Sequence, residues 1–209
     1  VIQAIVFDMD GVLIDAKDWH YDALNQALGL FGFTISRNEH LNIFDGLPTS
    51  KKLEILSETT TLPTELHAFV NDLKQTYTVE MIYERCRPLF IHEYALSRLQ
   101  ADGYRLGVAS NSVRNTVETM MQRARLTPYL DVMLSNEDVE VAKPSPEIYL
   151  RAMESLKVEP DATLVIEDNE NGIRSAEAAG AHVMVVKDVL DVNLDNIRAA
   201  IAKAEGASR

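Results

Sequence analysis

Cysteine is nearly absent from these 209 residues. Cys86 stands alone, so no intrachain disulfide can form. With no recognisable signal peptide, that usage fits a reducing, cytoplasmic setting. Cys86 lies between Arg85 and Arg87, which would lower its pKa, but no His or helix start accompanies it. A structural role is the expectation. Clusters of Lys and Arg are missing too: acidic residues outnumber basic ones 32 to 20, a net charge of −12. That argues against nucleic acid and against an anionic membrane surface as partners. No apolar run is long enough to span a bilayer. Internal repeats and low-complexity tracts are likewise absent. What remains is a chain 46% hydrophobic, with enough residues for one domain carrying an insertion or for two small ones.

Five short apolar runs read as buried strands: Ala4 to Phe7, Tyr104 to Ala109, Asp131 to Leu134, Thr163 to Ile166 and Val183 to Val186. Helical patterns separate the last four. Val113, Val117, Met120, Met121 and Ala124 form one apolar face, and Ile148, Tyr149, Ala152 and Leu156 another. Ser145-Pro146 reads as a helix start, and Gly180 as the stop after Ala176 and Ala179. Strands alternating with helices imply a parallel sheet covered on both faces. The first strand breaks the rhythm, because roughly 90 residues precede the second where a dozen or more would do. Leu24, Ala27, Leu28 and Phe31 fall at helical spacing in that interval, as do Leu53 and Leu56, then Leu66, Phe69, Val70 and Leu73. The fold expected is α/β, a Rossmann-like parallel-sheet core of residues 1–14 and 85–209 with an all-α cap, 15–84, inserted after strand one. Two crossings, near Ile14-Asp15 and Glu84 to Pro88, would form a hinge.

Chemistry-bearing residues recur at the expected strand ends, where open parallel sheets bind ligands. Asp8 and Asp10 flank Met9 just before Gly11. Adjacent carboxylates repel, and a cation or a shared proton relieves them. A Ca2+ loop would need Glu at its twelfth position, which is Trp19 here, whereas an ordinary turn stays open on this segment alone. Ser110-Asn111-Ser112 follows the second strand and can cradle phosphate or cap a helix. Lys143, held out of helix by Pro144, can offset negative charge. Glu167-Asp168-Asn169 offers further Mg2+ ligands, or an N-cap.

In combination, Asp8-Met9-Asp10-Gly11-Val12-Leu13-Ile14-Asp15, Ser110, Lys143-Pro144-Ser145-Pro146 and Glu167-Asp168-Asn169-Glu170-Asn171-Gly172 resemble the haloacid dehalogenase superfamily. The cap inserted after strand one resembles its β-phosphoglucomutase-like branch. The resemblance implies a Mg2+-dependent enzyme acting on a small phosphorylated metabolite. Asp8 would be the nucleophile that forms an aspartyl-phosphate, and Asp10 the general acid/base. Ser110 and Asn111 would bind phosphate, and Lys143 would orient Asp8. Asp8, the Asp10 backbone carbonyl, Asp168 and Glu167 would surround the metal.

Asp10 also separates this chain from the dehalogenases, which lack it. The phosphonatase branch places a Schiff-base Lys where Thr49 stands, with Lys51 and Lys52 further on. Mutases carry an Arg at that position and a Lys where Val113 follows Ser112. A phosphatase acting on a sugar phosphate is therefore expected ahead of a mutase. Gly46, Thr49, Lys51 and Lys52 in the cap loop would choose the substrate. His20 would be either a packed residue or a proton carrier. A receiver-type signalling domain would need an Asp on the third strand, which ends Leu134-Ser135-Asn136. A catalytically idle relative would have lost one of the core residues, and all are retained.

Overall fold

The computed structural model describes residues 1–44 and 46–207, with Ala207 placed in its backbone alone. Strands β1 (Ala4–Phe7), β2 (Arg105–Ala109), β3 (Val132–Leu134), β4 (Thr163–Glu167) and β5 (His182–Val185) pair in parallel in the order β3-β2-β1-β4-β5. Fully buried parallel strands are continuous apolar runs, and these lie within a residue of the sequence expectation at either end.

Side chains alternate across the sheet as strand geometry requires. Ile5, Phe7, Leu106, Val108, Leu164 and Ile166 face one layer, built by α5 (Phe90–Ala101), α6 (Arg114–Arg123) and α9 (Leu194–Ala207). Ala4, Val6, Ala109 and Val165 face the other, built by α7 (Glu147–Leu156) and α8 (Glu170–Ala178). Gly180 takes a left-handed φ of 82° just past α8, as a helix stop does.

Between β1 and β2 the chain is helical. It contains α1 (Lys17–Gly29), the short α2 (Arg37–Glu39), a π-helical stretch over His40–Phe44, α3 (Thr49–Thr59) and α4 (His67–Arg85). Leu24, Ala27, Leu28, Ile35, Phe44, Leu53, Leu56, Leu62 and Val70 give these helices a hydrophobic core of their own. Phe31 and Phe69 depart from the expected periodicity. Phe31 lies beyond the end of α1, and Phe69 is 54% exposed and meets it edge-on. Both ends of the insertion are anchored in the sheet's core, through Ala16 and Trp19 at one end and Ile82 and Cys86 at the other. Cys86 is buried, and burial pushes its thiol up, as a structural cysteine's would be.

Candidate active site

Strand register decides which residues meet. Phe7 pairs with Val108 on one side and Ile166 on the other. The chain therefore leaves the three central strands side by side, at Asp8, Ala109-Ser110 and Glu167. Asp8 N–H still donates to Ile166 O at 2.9 Å, which extends the ladder to the site.

Lys143 joins these strand ends. Its ammonium is 3% exposed and donates to Asp8 Oδ1 at 2.6 Å, Glu167 Oε1 at 2.7 Å and Ala109 O at 2.8 Å. The Tyr149 ring lies under it, 4.7 Å from the ammonium, and the Tyr149 hydroxyl donates to the same Glu167 oxygen at 2.6 Å. The other Glu167 oxygen accepts from Asp168 N and Asn169 Nδ2. Buried charge with this many donors is held rigidly. Burial and then Glu167 push the Asp8 carboxyl well above the usual carboxylate range, with Lys143 pulling the other way. Asp168 is raised by burial, against the Lys17 ammonium 2.7 Å away.

Carboxylate oxygens of Asp8, Glu167 and Asp168 lie within 4.8 Å of one another. That all-oxygen set suits a hard cation such as Mg2+, and a cation would relieve the repulsion that resists ionisation of Asp8. The Asp10 side chain is not in this cluster. It bonds instead to Ser112 and His20. Two glycines make the cluster possible. A Cβ on Gly11, whose φ is 90°, would lie 2.1 Å from Asp168 Oδ2, and one on Gly172 would lie 1.7 Å from Glu167 Oε1.

Asp10 accepts from Ser112 Oγ at 3.0 Å and meets His20 Nε2 at 3.0 Å. Lys74 Nζ lies 3.1 Å from His20 Nδ1. Burial opposes ionisation of Asp10, but His20 and Ser112 outweigh it and hold the carboxyl below its usual value. His20 is itself held down by burial and by Lys74, with Asp10 opposing. At neutral pH it is therefore an uncharged ring, giving Nε2–H to Asp10 and accepting from Lys74 at Nδ1. Burial, then Lys52, pulls Lys74 down to about 7.

A cavity of about 230 Å3 lies over these groups, with sheet residues as its floor and the inserted helices as its wall. Of the residues expected from sequence, Asp8, Asp10, His20, Gly46, Thr49, Lys52, Ser110, Asn111 and Lys143 all line it. Ser110 is buried and its Oγ accepts from Ser112 N. The Asn111 side chain is engaged within the protein. It donates to Gly46 O at 2.9 Å and accepts from Lys143 N at 3.1 Å, tying cap loop to floor. Only its backbone N–H remains to serve phosphate. Asn169 takes the N-cap of α8, accepting from Gly172 N, which leaves Asp168 for the site.

Lys51 is a correction. It is more than half exposed, pairs with Glu54 along α3 and does not line the cavity, because one step along the helix turns it to the outer face. Arg114, after Val113, is bound to Asp138 at the surface. Lys17 and Lys74 have no counterpart in the sequence reading; Ser112, expected only as part of a phosphate cradle, bonds to Asp10, and Tyr149, expected only on an apolar helix face, bonds to Glu167.

A profile described as haloacid dehalogenase-like hydrolase matches residues 5–186. A phosphorylated carbohydrates phosphatase from Thermotoga maritima is 30% identical over 182 residues, covering 86% of this chain and 82% of that protein. The crystal structure of CbbY from Rhodobacter sphaeroides in complex with phosphate superposes with a TM-score of 0.77 at 26% identity, covering 88% and 86% of the two chains. A β-phosphoglucomutase from Clostridium difficile superposes with a TM-score of 0.85 over the whole of both chains; at 22% identity it shows the shared fold alone.

Proposed function

The chain belongs to the haloacid dehalogenase-like hydrolases, and from that membership we propose that it is a Mg2+-dependent phosphatase of small phosphomonoesters, sugar phosphates in the first place. One observation carries the reading. Asp8, pinned by Lys143, shares the floor of one cavity with Asp10, which is held from the other side by Ser112 and His20. Two carboxylates in contrasting environments divide the labour of nucleophile and acid/base. The phosphatase name of the Thermotoga relative supports it.

In this reading an Asp8 oxygen attacks phosphorus while the ester P–O bond breaks and the leaving oxygen takes a proton from Asp10. The incoming phosphate dianion raises the proton affinity of Asp10 and so readies it for that role. Asp10 next accepts a proton from water as the water oxygen attacks phosphorus. The bond to Asp8 breaks, which frees inorganic phosphate and leaves Asp8 as a carboxylate and Asp10 protonated, ready for the next cycle. Ser110 and the Asn111 N–H would hold the phosphoryl oxygens. Lys143 offsets their charge and keeps Asp8 in line. Asp8, Asp168, Glu167 and the Asp10 carbonyl would hold Mg2+, whose charge screens the phosphoryl group from the carboxylates. Residues 1–14 and 85–209 would serve as catalytic core and 15–84 as the cap that closes over it.

Phosphate release from a panel of phosphorylated metabolites tests the assignment. Activity should vanish on chelation and return with Mg2+; full activity in chelator-stripped protein overturns the metal assignment. A sugar-phosphate mutase is the second reading, favoured by Lys52 and Lys74 on the cap wall, which could grip a distal phosphate. Against it stand Thr49 and Val113, both neutral and both lining the cavity, and the outward Arg114. Phosphorus NMR of β-glucose 1-phosphate with a trace of its bisphosphate decides. Isomerisation outpacing phosphate release would establish the mutase.

A further inference from the structure

We propose that Lys17, the first residue of α1, competes with the metal ion for the Asp168 carboxylate and so sets the Mg2+ concentration at which the site fills. The inference rests on the metal proposed above and concerns how tightly this chain holds it.

Lys17 stands against a local rule. The first turn of a helix carries a partial positive charge and favours acids over cations. Ala16, at the N-cap, supplies no side-chain hydrogen bond to the N–H groups there. A lysine in this place weakens the helix, and such conflicts are expected where a residue serves a site. Its ammonium turns away from the helix and lies 2.7 Å from Asp168 Oδ2, on a side chain only 1% exposed. The backbone is shaped for this reach. A Cβ on Gly11 would lie 2.8 Å from Lys17 Cε as well as against Asp168 Oδ2, so the bare α-carbon makes room for both partners. Ala16 is buried in the sheet's core, so the root of the Lys17 side chain is held to the floor.

Charge gives the sign of the effect. Asp168 is one of the three clustered carboxylates, and Lys143 already holds the other two, Asp8 and Glu167. A dication entering the cluster must share Asp168 with the Lys17 ammonium. The Lys143 side chain is buried, whereas that of Lys17 is 31% exposed and lines the cavity, so Lys17 has space to move aside. An ammonium at this distance opposes Mg2+ twice, as a like charge and as a rival for a ligand. Solvent reaches Lys17 and screens it, which limits the effect to about tenfold in Kd.

Mg2+ is titrated calorimetrically into the parent, Lys17→Met and Lys17→Arg, in a buffer free of phosphate. Lys17→Met should bind about tenfold more tightly, and Lys17→Arg, which keeps the charge, should stay close to the parent. A residue that only orients Asp168 predicts weaker binding in Lys17→Met, and one that only packs predicts no change; either result overturns the proposal. The parent supplies a second readout. Reductive methylation followed by mass spectrometry should modify Lys17 several times faster once Mg2+ is saturating, with the buried Lys143 slow throughout. A Lys17 rate that Mg2+ leaves unchanged overturns the proposal, and this result stands whether or not Lys17→Met folds. Equal Mg2+ binding by all three chains removes only the role of Lys17 and leaves the metal assignment in place. No Mg2+ binding by any of them overturns both.

Discussion

Replacing Lys74 by Met should make the protein more stable at neutral pH and less stable in alkali. Lys74 is buried, and its ammonium titrates at about 7 in the folded chain against 10.5 in a free one. At about 1.4 kcal/mol per pH unit, that difference sets an upper limit of about 5 kcal/mol on what burying the charge costs. The sign follows from proton binding. Below pH 7 folded and unfolded chains both hold the proton, so the full cost is felt. Between 7 and 10.5 the unfolded chain binds the proton and the folded chain has released it, so stability rises with pH. Above 10.5 both are neutral and the cost is gone. Met fills similar volume without a charge. It also removes the donor to His20 Nδ1, at a cost of about 1 kcal/mol. Lys74→Met should therefore gain up to about 3 kcal/mol at pH 7 and lose about 1 kcal/mol near pH 10.5. Urea unfolding of both chains from pH 6 to 10.5 measures the difference, in which other titrating groups cancel. A difference that is flat with pH, or a variant less stable than the parent at pH 7, refutes the reasoning.

Asp8→Asn should end turnover while leaving a folded protein, since an amide fills the same volume but is a poor nucleophile; a trapped phosphoenzyme in that variant would remove Asp8 from its role. Asp10→Asn should still transfer phosphoryl from p-nitrophenyl phosphate, whose leaving group needs no acid, and should accumulate aspartyl-phosphate because water is no longer activated; steady turnover at the parent rate would contradict this. Gly172→Ala should destabilise by about 1–3 kcal/mol or more and lower Mg2+ affinity, because a methyl group 1.7 Å from Glu167 Oε1 must displace the acceptor of both Lys143 and Tyr149. Unchanged chemical denaturation and Mg2+ titration curves would show that Glu167 yields without consequence.

The core was legible because its signals are local. Each of the three central strands is an apolar run that ends at a residue of the candidate site, as in Phe7-Asp8 or Ala109-Ser110. The parallel register then does the assembly, and no long-range information is needed beyond the order of the runs. Gly172 was legible as part of a motif, yet its cause is a contact with Glu167 that only the folded helix reveals. The cap was harder. Its helices were visible by periodicity, but Phe69 was placed on the buried face that Val70, Lys74, Thr78 and Ile82 occupy. Those four recur every fourth residue, so a lysine on an apolar row was a readable sign of a charged group turned inward. Lys51 and Lys52 differ by one step on α3, and that step separates the outer surface from the cavity. Lys17 reaches Asp168 across the whole sequence, and no local pattern announces such a pair.

This contrast follows from how the two halves meet. The floor's carboxylates are placed by strand register, so altering Asp8 or Glu167 disturbs a buried charge network around Lys143. At its loop the cap meets the floor through backbone: Gly46 O accepts from Asn111, and Gly46 comes so close to Asn169 that a Cβ would lie 2.8 Å from its Oδ1. A contact made by a carbonyl and a bare α-carbon places no demand on the side chains that follow. Positions 49 to 52 and the inner row of α4 can then change while the closing contact persists. Chemistry and selectivity are thereby separable in one chain. Asp8 and Asp10 would set what is done to a phosphate, and the cap loop above them which molecule carries it.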